Sequence, residues 1–293
     1  MPAIRQVGVV VHPSRHIDRV LAELGAWASA NKARVGQVRI EGQTREVAAP
    51  VNAADCDLLI AVGGDGTALA ALHAAAPESR PVLGVACGSV GALTSATAHR
   101  VTLALDQVSA ERWTPMRIPA LDVSWDDGSS EIAINGVVVV RDGAGQVIAS
   151  VAVDDVRYVR VAGDGVVAAT ELGSSAYSMA AGGPILAPGV EAIVVTPLAT
   201  HGGSAPPLVM AGHARLVLEV EPSYGGVRFE VDGRPTEIQG RRLEIRRRPD
   251  YTTLVTLAEG EPRLTGLRRR GLVLDSPRVL VRDARAETSG EEG

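Results

Sequence analysis

The sequence predicts an α/β N-terminal domain on a parallel sheet, joined to a mainly-β C-terminal domain. Two observations carry this. From residue 1 to about 112, apolar runs of strand length alternate with stretches of helical spacing, as in a parallel sheet covered by helices. From Ile118 onward the runs are short and broken by turn pairs, Asp127-Gly128, Asp142-Gly143, Gly225-Gly226 and Asp232-Gly233, the pattern of hairpins.

Element by element, Val7 to Val11 is a continuous apolar run, expected of a strand buried on both faces. Ile17, Val20, Leu21, Leu24, Trp27 and Ala28 follow at helical spacing. Val35 to Ile40 alternates like a strand, and Leu58 to Val62 is a second buried one. Thr67 to Ala76 reads as an Ala-Leu helix, Val82 to Ala86 as a strand and Val101 to Val108 as a helix. Leu121 to Trp125 and Ile132 to Val140 flank Asp126-Asp127-Gly128 as a hairpin, and Val227 to Val231 enters the Asp232-Gly233 turn in the same way. The expected division is 1–115, 116–262 and a C-terminal segment 263–293, frayed from residue 284.

Composition narrows function. The 293 residues are 46% apolar and 22% charged, usual for a globular chain. The net charge of −5 lacks the clustered positive footprint of a nucleic-acid binder; the arginines of 241–248 and 268–270 read as solvated edges. Among 29 basic residues Lys32 is the only lysine, set between Asn31 and Ala33. That excludes a P-loop, which needs Gly-Lys-Ser/Thr, and a protein-kinase strand lysine. Cys56 and Cys87 are too few for a thiolate metal site or a disulfide framework and read as buried thiols. The N-terminal apolar run is too short for a signal peptide. The charge-poor stretch from Leu172 to Val190 is interrupted by Gly182-Gly183-Pro184 and Pro188, which argues against a membrane helix. A cytoplasmic protein is expected. The six histidines form no metal-spaced pair, and the serines lack the spacing of a nucleophile elbow. His201 reads as a surface or capping residue.

Gly63-Gly64-Asp65-Gly66-Thr67 follows a buried strand and opens a helix. Glycines let backbone N–H groups approach a ligand, and a helix N-terminus favours phosphate. Asp65 can hold a bridging cation or accept the proton of an attacking hydroxyl; it can also simply cap the helix. Farther on, Gly163-Asp164-Gly165 precedes Leu172-Gly173-Ser174-Ser175-Ala176-Tyr177-Ser178, a segment ending in Gly182-Gly183-Pro184. It suits a flat nucleotide read by hydroxyls and amides, or a close-packed helix start.

In this order, Gly63 to Thr67, Asn135, Gly163 to Gly165 and Gly173 to Pro184 resemble the NAD kinase family, and the match runs on through Ala192 to Pro197. The first motif is shared with lipid kinases; the second is specific to this branch. The resemblance implies a two-domain NAD kinase-like fold whose C-terminal tail returns to the first domain. It also implies phosphoryl transfer from ATP, or from polyphosphate, to the 2′-hydroxyl of the adenosine ribose of NAD, giving NADP. On that basis Asp65 is the base, Gly66 and Thr67 lie at the phosphates, and Asn135 and Asp164 bind NAD. Ser175, Ala176, Tyr177 and Ser178 line the nucleotide pocket. Mg²⁺ accompanies ATP without a dedicated protein metal site, and self-association is expected.

Where the family has Asn-Glu, this chain has Asn135-Gly136. A hydrogen bond to a charged group contributes about 1.5–3 kcal/mol, so losing that Glu would cost more than tenfold in binding unless Glu171 or Glu131 takes its place. The residues leave two other readings open: a kinase of the same fold acting on another hydroxyl, and a nucleotide-binding sensor without turnover.

Overall fold

The computed structural model describes residues 4–258 and 263–290. The first half runs β1 (Gln6–Val11), α1 (Asp18–Ala30), β2 (Arg34–Gln37), β3 (Leu58–Gly63), α2 (Asp65–Ala75), β4 (Pro81–Ala86), β5 (Ala96–Thr97) and α3 (Val101–Ser109). The second runs β6 (Trp113–Trp125), β7 (Ser130–Ala133), β8 (Gly136–Asp142), β9 (Val147–Val153), β10 (Val156–Gly163), β11 (Gly165–Thr170) and α4 (Tyr177–Ala180). It continues with β12 (Ala192–Leu198), β13 (Leu208–Ala211), β14 (Leu216–Pro222), β15 (Gly226–Val231), β16 (Arg234–Pro235) and β17 (Arg242–Leu257), then α5 (Arg263–Arg269) and α6 (Pro277–Gly290).

The α/β half followed by a β-rich half is as the sequence predicts. Strands β2, β1, β3 and β4 lie side by side, all parallel, and β1 and β3 are buried throughout apart from half-buried Gln6. Helices α1 and α3 cover one face of this sheet, where Leu24, Trp27 and Leu105 pack on Val9, Ile60 and Val85. Helix α2 covers the other, where Leu69 and Leu72 meet Leu59 and Val82.

The two halves share one sheet. Long strand β17 pairs antiparallel with β14 and β6, and near its end pairs parallel with β4 through Thr253 and Leu254. The boundary expected at 115–116 therefore falls inside β6, within continuous sheet. A second sheet, in the order β13-β12-β11-β8-β15-β16, packs on the β-half of the first, with Trp125 and Phe229 edge to face at 5.8 Å. Helix α6 extends to Gly290, into the segment expected to fray; residues 291–293 lie outside the described residues.

One element differs in a way that matters for the site. The sequence reads Ile132 to Val140 as a single strand. In the structure β7 ends at Ala133 in one sheet and β8 begins at Gly136 in the other. The crossing at Ile134 and Asn135 has no ladder partner for its amides; the Asp232 carboxylate accepts them instead. Buried amides must be paired, and a side chain 98 residues away does so here.

Candidate active site

Strand β3 ends at Gly63, the chain turns at Gly64 in extended conformation, and α2 begins at Asp65. The first amides of a helix have no intrahelical acceptor, and its dipole makes this end positive. The Asp65 carboxylate folds back onto the loop after β4. Its Oδ2 accepts the Ala92 N–H at 2.9 Å and its Oδ1 the Leu93 N–H at 2.8 Å. Gly91 makes room for it, since a Cβ there would stand 1.9 Å from Asp65 Oδ1. Arg270, just beyond α5, brings Nη1 to 3.6 Å from Asp65 Oδ2, so the C-terminal segment lies against the first half here. Two loop amides occupy only part of the carboxylate's acceptor capacity.

Asp65, exposed Gly66 and buried Thr67 line a cavity of about 320 Å³ together with His12, Arg15, Gly64 and Arg234. Arg15 comes from the β1–α1 connection and Arg234 from β16, so both halves contribute guanidinium groups. The Arg15 Nη1 donates to the Cys87 carbonyl at 3.1 Å, across the glycine turn. His12 Nδ1 accepts the N–H groups of Ser14 and Arg15, each at 3.2 Å. Burial first, then the charges of Arg15 and Arg45, hold the His12 imidazole below its ordinary 6.5. The unfolded chain therefore binds more protons here than the native one in the window between the lowered native value and 6.5. This contribution to stability is fully present above about 6.5 and is lost as pH falls through the lowered value. An NMR titration should find His12 titrating below 6.5; a value at or above 6.5 would contradict this acceptor role.

Asn135 lies at the sheet crossing, beside α2, because Ile134 and Leu172 join the apolar cluster of Ala68, Leu69, Leu72 and Leu93. Its carbonyl accepts Thr170 N–H at 2.9 Å, and Thr170 Oγ1 accepts Gly173 N–H at 3.0 Å. The Ser175 hydroxyl donates to Leu172 O at 3.3 Å, Ala176 N–H to Gly173 O at 2.9 Å, and Tyr177 is 47% exposed. Asn135 and the Gly173 loop are thus tied to each other beside α2, the helix that begins with Asp65.

Two predicted site residues stand apart. Ser178 is fully buried and shares a 2.8 Å hydrogen bond with Thr196 Oγ1, so its hydroxyl braces the loop instead of facing the cleft. Asp164 sits at the opposite end of β11 from Thr170, about 20 Å away at 3.3 Å per residue. There it accepts Arg141 Nε at 2.6 Å. His201, beyond the same strand ends, is exposed and bonded to Gln146 Nε2 at 2.6 Å. Of the two thiols Cys56 is buried, and burial pushes it up to about 11; Cys87 is half-buried and also raised by burial.

Neither alternative carboxylate lines the cavity at Asp65. Glu171 is gripped by Arg247, with Oε1 2.5 Å from Nη2 and Oε2 3.1 Å from Nε. Glu131 is exposed on β7, in a groove with Arg248 and Tyr251. Position 136 has no space for a side chain, because its Cβ would stand 2.3 Å from Ala168 O on paired strand β11. Gly136→Glu should therefore cost about 1–3 kcal/mol or more by overpacking, with no gain in NAD affinity. Thermal melting and an NAD titration check this; a stable variant with tighter NAD binding would contradict it.

Asp232 and His73 are the residues that sequence reasoning missed. Asp232 reads as half of a turn pair, and His73 only as one of six histidines that form no metal-spaced pair. Neither pattern shows that the two side chains meet, 159 residues apart.

A strand, a glycine turn and a helix around one carboxylate, opposed by arginines across a cleft, make an arrangement suited to the phosphates of a nucleotide. Residues 7–113 match the family model described as ATP-NAD kinase N-terminal domain, and 134–256 that described as ATP-NAD kinase C-terminal domain. The chain is 34% identical to an NAD kinase of Chloroflexus aggregans over 71% of its length and 78% of the relative's. It is 36% identical to NAD kinase 2 of Streptomyces avermitilis over 66% of each chain. Among solved structures, yeast NADH kinase complexed with NADH superposes with a TM-score of 0.77 at 21% identity, over 94% of this chain and 90% of that one. An Archaeoglobus fulgidus NAD kinase in complex with ATP gives 0.71 at 24%, over 90% and 97%; both likenesses are of fold. This chain belongs to the NAD kinase family, and is a phosphotransferase acting on a hydroxyl acceptor.

Proposed function

We propose that this protein transfers the γ-phosphoryl group of ATP to the 2′-hydroxyl of the adenosine ribose of NAD, giving NADP and ADP. The observation that carries the reading is the Asp65 carboxylate, fixed by two loop amides at the start of α2 and lining a cavity that also holds Arg15 and Arg234. The ribose oxygen attacks the γ-phosphorus, the bond from that phosphorus to the β–γ bridging oxygen breaks, and the hydroxyl proton passes to Asp65. Gly66, Thr67 and the amides of the helix start face the phosphates, and Arg15 and Arg234 supply the positive charge that a P-loop would draw from lysine. Asn135 and the Ser175-Ala176-Tyr177 loop receive the adenosine, with Ser178 bracing that loop through Thr196. Asp164 binds NAD farther along β11.

Among the described residues no three His, Cys, Asp or Glu side chains group to hold a metal. In this reading Mg²⁺ would enter on the phosphates of ATP. No described helix is long and apolar enough to cross a membrane. The reading carries with it the 1–115, 116–262 and 263–293 division, a cytoplasmic setting, self-association and no nucleic-acid partner.

The test is NADP formation by purified protein from ATP, Mg²⁺ and NAD, read with an NADP-specific dehydrogenase. Turnover with NAD as the best acceptor is expected. NAD binding without NADP formation would overturn the kinase reading, and faster transfer to another hydroxyl compound would overturn the acceptor.

A further inference from the structure

Asp232 is a buried carboxylate, its side chain 5% exposed, at the turn between β15 and β16. Oδ1 accepts Asn135 N–H at 2.7 Å and Gly136 N–H at 3.1 Å, and Oδ2 accepts Ile134 N–H at 2.9 Å. The fourth partner comes from the other half of the molecule: His73 Nε2, on α2, stands 2.7 Å from Oδ2. An ionised carboxylate can only accept, so Nε2 carries the proton. On its far side the ring meets Tyr251 of β17, Nδ1 to hydroxyl 3.4 Å, with the rings edge to face at 5.8 Å.

His73 is eight residues beyond Asp65 on the same helix, about 12 Å along its axis. One run of hydrogen bonds thus leads from α2 through His73 to Asp232, from Asp232 to the Asn135 backbone, and from the Asn135 carbonyl through Thr170 to Gly173. At one end is the helix that begins with Asp65; at the other is the loop assigned to the adenosine. Burying a carboxylate is costly unless its hydrogen bonds are complete, so full occupation of Asp232 makes the crossing rigid. Apart from His73, its partners are backbone amides of its own half.

We propose that His73 is a positioning residue for phosphoryl transfer: acting through Asp232, it holds the Asn135 backbone and the Gly173 loop at a set distance from Asp65. This rests on the kinase reading above. A misplacement of about 1 Å between reacting groups can cost ~10²-fold in rate, so a contact this far from the chemistry can still govern turnover.

The experiment compares His73→Leu and His73→Gln with wild type in the full-length chain. Gln can present an N–H near the position of Nε2; Leu cannot. His73→Leu should lower kcat by roughly 10- to 100-fold and raise KM for NAD more than KM for ATP, while His73→Gln recovers most of the loss. In His73→Leu the amides of 134–136 should exchange hydrogen faster, which is read without any turnover. A lower Tm with unchanged kcat and KM would reduce His73 to a packing role and overturn the proposal. So would unchanged exchange at 134–136, or a Gln variant as slow as Leu. An inactive wild-type chain would fail the kinase reading instead, while exchange at 134–136 would still decide whether the clasp exists.

Discussion

Asp65→Asn should lower kcat for NADP formation by about 10²–10⁴-fold, the contribution of a positioned general base, with KM for NAD little changed. Asn keeps the shape of the side chain. Its Oδ1 can still accept the N–H of Ala92 or Leu93, and its amide nitrogen then faces the other. The loop after β4 stays close to its place, and the main loss is a group able to take the ribose proton. Circular dichroism melting of the variant separates loss of base from loss of fold. Unchanged kcat would remove Asp65 from the chemistry and leave it as the anchor of the Ala92–Leu93 loop. The contacts that make Asp65 an anchor also fix its carboxylate at the start of α2, where it lines the cavity.

Glu171→Ala should destabilise the protein by about 3–5 kcal/mol, the usual cost of leaving one member of a buried ion pair unpartnered. The side chains of Arg247 and Glu171 are 7% and 11% exposed, and they meet through two parallel N–H···O contacts. Glu191 stands 3.9 Å from Arg247 Nη1 but is 75% exposed, so it cannot neutralise the buried guanidinium in the same way. In a chain of this size the loss corresponds to a fall in Tm of roughly 5–10 °C. Replacing both Glu171 and Arg247 by Leu should recover much of it, since an apolar pair of similar volume often replaces a buried ion pair without loss. A Tm change below about 2 °C in Glu171→Ala would mean that Arg247 finds water. The pair ties the end of β11 to β17 directly before the Gly173 loop, so Glu171 has a structural role there.

What the sequence by itself determined was local. Apolar runs such as Val7 to Val11 and Leu58 to Val62 mark strands buried on both faces, and the glycine turn before Asp65 marks a helix start suited to phosphate. Both follow from the period of the chain and the chemistry of neighbouring residues. The single lysine ruled out whole classes of site, and the order of the motifs identified the family. What only the tertiary structure decided was which distant groups meet. Ile132 to Val140 carries the alternation of one strand, yet it breaks at Ile134–Asn135 because a carboxylate from residue 232 takes the amides there. Glu171 follows a strand like any exposed acid, and only the fold brings Arg247 to bury it. Position 136 could hold any residue until β11 lies against it. Strand and helix periods depend on residues a few positions apart, whereas a hydrogen bond or a steric clash depends on a distance in space, and that distance exists only once the two sheets have packed.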